Sequence, residues 1–220
     1  MNDYFSYLHD NAGTIGGLLR AHTYLSVVPV VLGLLIALPL GAIADTKRWL
    51  MTPLLATAGA LYSLPSLALL LLLPIILGTQ ILDSVNLIIA LTIYTVALLL
   101  RGVIDGLGSV PDHVKLAAVG LGYSPLRRLF AVDLPIAVPV VTAGVRVATV
   151  ANVSLVSVGS IIGLNGLGEL FTRGFQTNDY NMIVTGIVLS VLLAFTLDAI
   201  IVTAQRLLTP WARAAAGAGR

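Results

Sequence analysis

The chain of 220 residues contains no cysteine, so disulfides, thiol nucleophiles and thiolate metal sites are excluded. Charge is almost as scarce. Asp, Glu, Lys and Arg make up 10% of the residues, where an ordinary soluble domain carries about a quarter. The net charge of +2 and the lack of a basic stripe give nucleic acid no footing. The only histidines are His9, His22 and His113. None has a carboxylate or second histidine at ligand spacing, so no metal site and no converging catalytic set is expected. A Gly-x-x-x-x-Gly-Lys-Ser/Thr segment is also missing, which excludes P-loop ATP hydrolysis by this chain. Met1–Asp10 lacks a basic stretch, so the first apolar run is expected to remain as a span rather than be cleaved as a leader.

Hydrophobic residues fill the space left by charge, at 58% of the chain. Crossing a hydrocarbon core of about 30 Å takes about 20 apolar residues as helix. Uncharged runs of suitable length occur at Thr23–Ala44, Trp49–Leu82, Ser84–Leu100, Val147–Gly168 and Tyr180–Leu197. The fourth extends back through Arg146 to about Ile136, and the fifth runs on through Asp198 to Gln205. The second is too long for one crossing. It reads as one helix from about Thr52 to Leu73 and then a short outer segment, with Pro65 and Pro74 as punctuation. The expected fold is all-α, a polytopic membrane protein of about five transmembrane helices. A sixth arises if that outer segment or the N-terminal arm inserts.

An odd number of spans puts the termini on opposite sides. Lys47, Arg48, Arg101, Lys115, Arg127, Arg128, Arg206, Arg213 and Arg220 then share one side, against Arg20 and Arg173 on the other, with Arg146 inside the fourth span. That excess marks the first side as cytoplasmic. The division is an extracytoplasmic arm (1–22), a transmembrane region (23–206) and a cytoplasmic tail (207–220), in the cell (plasma or inner) membrane. Asp3–Leu19, broken at Asn11-Ala12-Gly13, reads either as an aromatic-rich interfacial helix or as a partly ordered tail.

The polar interruption from Asp105 to Pro139 is the main lead to function. Pro111 and Asp112 open a helix, His113 to Leu121 continue it, and Gly122 stops it. Ser124 as cap and Pro125 at the first position start a second helix. Leu134-Pro135 is expected to end that helix, because proline disfavours helical geometry in the residue before it. Ala117 and Ala118 followed by Gly122 give a narrow ridge over which another protein's backbone can come close, flanked by Arg127 and Arg128 for acidic rims. On spacing alone, an ordinary surface helix–turn–helix is the equal alternative.

This loop resembles the "EAA" signature of ABC-importer membrane subunits: Glu-Ala-Ala, three residues, Gly, then about nine residues and Ile-x-Leu-Pro. Ala117, Ala118, Gly122, Leu134 and Pro135 stand at the matching positions. Leu116 replaces the Glu and removes its charge, and Val132 replaces the Ile. Further along, His22-Thr23-Tyr24-Leu25-Ser26, Leu38-Pro39-Leu40-Gly41, Leu64-Pro65-Ser66-Leu67-Ala68-Leu69, Ala143-Gly144-Val145-Arg146-Val147-Ala148-Thr149, Ile162-Gly163-Leu164-Asn165-Gly166-Leu167-Gly168 and Leu197-Asp198 resemble the glycine betaine/carnitine/choline (osmoprotectant) permease branch. Methionine-type permeases share the loop and the five-span plan.

The resemblance implies a type I importer permease for quaternary-ammonium osmoprotectants. Its implied partners are a second permease subunit (identical or paralogous), two cytoplasmic ABC ATPases, an extracytoplasmic substrate-binding protein and the lipid bilayer. It implies that Lys115, Leu116, Ala117, Ala118, Gly122, Ser124, Pro125, Arg127 and Arg128 form a coupling helix docked on an ATPase. ATP and Mg would sit on the ATPase subunits, and no cofactor on this chain. An aromatic cage for a quaternary ammonium belongs on the binding protein, since aromatics are only 6% here. Tyr62 and Tyr94 either pack or line the path.

Gly159, Gly163, Asn165, Gly166 and Gly168 at the outer end of the fourth span suit a gate, or else simple loop flexibility. Glu169, Arg173, Asp179 and Tyr180 decorate the following outer loop, where a binding protein would dock. Arg146 and Asp198 either pair between the fourth and fifth spans or snorkel to the interface. Two rival readings are a permease for an amino acid such as methionine and an ion-coupled secondary transporter. The latter calls for intramembrane acids and paired helix breaks, neither of which the chain shows.

Overall fold

A chain this apolar satisfies its backbone by coiling on itself, and the computed structural model, which describes residues 2–211, is built of helices. The end of the tail, with Arg213 and Arg220, lies outside the described residues. Helices α1 (Asn2–Asp10) and α2 (Ala12–Thr46) part at Asn11, whose side-chain amide donates to the Tyr7 carbonyl at 2.9 Å. The arm thus begins as a helix, and Tyr4 on it accepts a bond from buried Thr185 at 3.3 Å. From Ala12 onward α2 runs 35 residues with no break at residue 22.

The second apolar run departs from expectation. It is two helices, α3 (Arg48–Tyr62) and α4 (Ser66–Leu77), not one from Thr52 to Leu73. Leu64 stands before a proline and is driven from helical geometry, and Pro65 itself takes an extended ψ of 127°. Ser63 closes α3 by donating its hydroxyl to the Gly59 carbonyl at 2.7 Å. Pro74 is carried inside α4, which stops instead at Gly78 with φ of +67°. Helix α5 (Ser84–Gly108) continues past Leu100 far enough to make Asp105 helical, 3.8 Å from Arg101.

The interhelical loop contains α6 (Asp112–Gly120) and α7 (Pro125–Arg128), followed by α8 (Leu134–Gly159). Pro135 does not end a helix here. A π turn over Leu129–Asp133 joins α7 to α8, with the Leu134 N–H reaching back to the Leu129 carbonyl. The widened turn just ahead of Pro135 makes room for a ring that cannot donate and would crowd a normal α ladder. The result is one helical stretch from Pro125 to Ile162.

The α-helix of the fourth span ends at Gly159 and gives way to a single 3₁₀ turn, Ser160–Ile162, so the span stops short of Gly168. What was expected as a charged outer loop is another helix, α9 (Gly168–Thr177), on which Arg173 pairs with Glu169 at 2.6 Å. Asp179 then caps α10 (Tyr180–Leu208) by accepting the N–H of Asn181 at 2.9 Å. By length and composition α2, α5, the α7–α8 stretch and α10 can each cross a membrane, and the broken pair α3–α4 supplies a fifth candidate.

Contacts divide the chain into two compact units. The first (Met1–Leu32, Leu64–Ile93, Thr149–Leu197) is centred on Val153, Leu167, Leu170 and Leu193, with Leu18, Leu19 and Met182 packed against them. The second (Gly33–Ser63, Tyr94–Ala148, Asp198–Arg220) holds a core of Ala37, Leu99, Val103, Leu107, Ala137 and Val141. In that unit Tyr62 and Tyr94 pack edge to face at 6.0 Å. Small residues set its spacing. Gly33, Ala37 and Gly41 recur every four residues down α2, and a Cβ on either glycine would overlap the side chain of Thr95 or Val103 on α5. Such a stripe lets two helix backbones approach closely.

Gly41→Leu should therefore push α2 off α5 and lower stability by about 1–3 kcal/mol, the usual cost of overpacking. Thermal unfolding of the detergent-purified protein checks this, with the substitution of exposed Ile36 by leucine as a near-silent control.

Candidate functional site

The α6–α7 turn closes by a specific hydrogen-bond pattern. Gly122, at φ +81°, sends its N–H to the Val119 carbonyl at 2.9 Å, and Tyr123 sends its own to Ala118 at 3.1 Å. These two bonds are the Schellman arrangement, whose left-handed residue is best supplied by glycine. Ser124 accepts the Arg127 N–H at 3.4 Å and Pro125 takes the first helical position. Gly122, Ser124 and Pro125 thus form the turn itself.

The faces of this element differ from the sequence expectation. Ala117 is exposed, but Ala118 is only 5% exposed, so the ridge is not open along both alanines. The basic residues turn toward their own chain. Lys115 meets Asp45 at the end of α2 at 3.4 Å. Arg128 donates its Nε–H to the buried carboxylate of Asp133 at 3.0 Å, and the Arg127 guanidinium lies 4.6 Å over the Tyr123 ring. Cations expected to flank the ridge are held in intramolecular contacts instead. Pointing outward are apolar side chains: Leu116 at 71% exposure, Leu121 at 78%, Leu126 at 70% and Phe130 at 67%.

Sequence reasoning missed Asp45 and Asp133. Asp133 follows Arg128 by five residues, a separation that an α-helix places on different faces. Only the π turn brings the two together.

In the first unit, the glycine-rich segment is a fastened turn. His22 is fully buried, and both ring nitrogens are used. Leu167 donates its N–H to Nδ1 at 3.0 Å, and Nε2 lies 3.0 Å from the Val153 carbonyl. An Nδ1 that accepts carries no proton, so this network assigns the neutral Nε2–H tautomer, donating to Val153. A Cβ on Gly166 would come within 3.2 Å of His22 Nδ1, and one on Gly168 would run into the Ser157 carbonyl oxygen. Gly163 has φ of +93°, and Gly159 accepts the Leu164 N–H at 3.3 Å. Asn165 is exposed and lines a cleft of about 340 Å³ of mixed character, with Ser160, Leu164, Glu169, Thr172 and Arg173. Sequence reasoning gave His22 no role, because its partners lie 131 and 145 residues away.

In the second unit, Arg146 on α8 and Asp198 on α10 form a two-pronged ion pair, Nε to Oδ1 at 2.6 Å and Nη2 to Oδ2 at 2.9 Å. This is the strong planar geometry that guanidinium and carboxylate favour. It answers the cost of carrying either charge within an apolar helix.

The family model for the binding-protein-dependent transport system inner membrane component matches residues 30–214. The osmoprotectant import permease protein OsmW of Salmonella typhimurium is 33% identical, covering 94% of this chain and 98% of its own length. The choline transport system permease protein OpuBB of Bacillus subtilis is 30% identical, with coverages of 96% and 95%. The glycine betaine/carnitine/choline transport system permease protein OpuCB of the same organism is 29% identical, also with 96% and 95%. Among solved structures, a chain of the MetNI methionine ABC transporter in an inward-facing conformation superposes with a TM-score of 0.75. It covers 87% of this chain and 94% of that one at 22% identity, a likeness of fold.

The ion pair yields a direct test. Arg146→Asp sets two carboxylates together and should cut the yield of monodisperse, membrane-extracted protein several-fold, because a broken pair leaves an uncompensated charge. Adding Asp198→Arg to the same chain should recover most of that loss, as expected for two side chains that act as a unit.

Proposed function

The chain belongs to the family of binding-protein-dependent transport system inner membrane components, and from that premise we propose that it lines an ATP-driven uptake path for quaternary-ammonium osmoprotectants of the glycine betaine, choline and carnitine kind. The observation that carries the substrate class is near end-to-end similarity to permeases named for those solutes, at up to 33% identity. Its partners in this reading are a second permease subunit, two ATPases and an extracytoplasmic binding protein. Solute selection falls to the binding protein, since this chain is poor in aromatics.

The α6–α7 element is the ATPase-docking surface and faces the cytoplasm, the side that the Lys and Arg excess marks. Its exposed residues support this role. Large exposed apolar side chains mark an interaction site, and Leu116, Leu121 and Leu126 stand exposed along one short helix–turn–helix, with Phe130 in the π turn that follows it. Stiffness also fits a coupling element. The Schellman turn, the Lys115–Asp45 pair and the Arg128–Asp133 pair fix α6 and α7 to their own chain. Because α7 passes through the π turn into α8 without a break, a push on the docking surface is delivered along a membrane helix. When the ATPases close on ATP, that rigid lever would move α8 and switch access to the path. Arg146 and Asp198 keep α8 and α10 moving together and do not touch solute.

Leu121→Asp combined with Leu126→Asp should reduce ATPase co-purification and ATP-driven uptake by about tenfold or more, the scale of removing interface hot spots. Membrane insertion should stay normal. Leu116→Glu, which installs the residue of the related signature, should retain both activities. Full uptake by the double variant in a reconstituted complex would count against the docking surface.

A further inference from the structure

His22 is the largest fully buried polar side chain among the described residues, and the transport scheme leaves it without a task. Burying an imidazole is costly unless both nitrogens are bonded, and here they bond to two different elements. Nδ1 receives the Leu167 N–H from the glycine-rich turn, while Nε2–H reaches the Val153 carbonyl on α8. The same carbonyl also accepts the Ser157 hydroxyl at 3.3 Å, and Ser157 is the residue whose backbone Gly168 abuts. One ring therefore joins α2, a single turn of α8 and the segment 166–168. The glycines are what allow it. A side chain at 166 would press on Nδ1, and one at 168 would strike the α8 backbone. Leu167, fully buried between them, plugs the core of this unit.

We propose that His22 is the positioning residue that holds the Leu164–Gly168 turn closed against α8, and that uptake requires this closed turn. The requirement for uptake rests on the importer reading; the closure does not, and can be read without any transport.

Because the protein is free of cysteine, Leu164→Cys would carry the sole thiol. Leu164 is only 3% exposed, at the edge of the cleft that Asn165 lines, so a maleimide reaches that thiol slowly while the turn is closed and faster when it opens. Two conservative substitutions separate the two bonds of the ring. The Oδ1 of asparagine can stand where Nδ1 stands and accept from Leu167. The Nε2 of glutamine can stand where the ring Nε2 stands and donate to Val153. In full-length protein in native membranes, His22→Ala and His22→Gln should raise the labelling rate about tenfold, roughly the worth of one lost buried hydrogen bond. His22→Asn should label as slowly as the parent. Uptake, measured without the Leu164→Cys change, should fall in the Ala and Gln variants and persist in the Asn variant.

Rescue by glutamine but not asparagine would overturn the proposal, since it would place the essential bond between α2 and α8. Unchanged labelling in all three variants would overturn it as well. Faster labelling with undiminished uptake would sink the requirement for a closed turn. If the parent protein with its ATPase takes up no osmoprotectant, the importer reading fails while the labelling result stands on its own. Should the Ala variant not fold, the Asn and Gln pair still decides, because each keeps one of the two bonds.

Discussion

A polar group carried into an apolar chain has to find its partner inside that chain, because hydrocarbon offers none. Several features of the layout answer to this. Arg146 and Asp198 meet prong to prong from two helices. His22 uses both nitrogens. Thr23, Thr92 and Thr196 each fold their hydroxyl back onto the carbonyl four residues earlier. Each solution fixes a geometry as well as an energy. The ion pair sets the rotation of α8 relative to α10, and the histidine sets the depth at which the glycine turn lies on its helix.

The α6–α7 element reverses the usual arrangement of a solvent-facing helix pair. Ordinarily the apolar side packs and the charges point outward. Here Lys115 and Arg128 are tied to carboxylates of their own chain and Arg127 lies on a tyrosine ring, while leucines and a phenylalanine stand clear. Contact through such a surface depends little on ionic strength, because apolar burial is not screened as surface charge is. Leu116, at the glutamate position of the signature that this loop resembles, belongs to that same apolar set. A leucine there makes the exposed face apolar, while the turn itself is fixed by Gly122, Ser124 and Pro125.

Much of this was legible in the sequence. Run length gave the long helices, and Gly122 with Ser124-Pro125 gave the turn, since few residues tolerate its backbone. Legibility failed wherever a remote contact or an unusual helical turn decided the outcome. Pro135 reads as a terminator until a π turn ahead of it removes the clash. Ala118 reads as surface because helix propensity does not say which side a short helix buries. Glu169–Arg173 reads as loop, although the two residues sit at the i,i+4 spacing of a helix. His22 reads as an idle polar residue because nothing nearby in sequence announces Val153 or Leu167.

The π turn over Leu129–Asp133 has one more consequence. It adds about one residue to the helical repeat, and each residue of an α-helix advances its face by about 100°. Side chains on the near side of the turn are therefore out of phase with those beyond it by roughly that angle. Removing one residue there would restore an unbroken α repeat and swing Leu126 to a different azimuth while leaving the local sequence otherwise intact. A single-codon deletion in this short stretch would thus re-aim the exposed leucine of α7 in one step, leaving the sequence of every helix beyond it untouched.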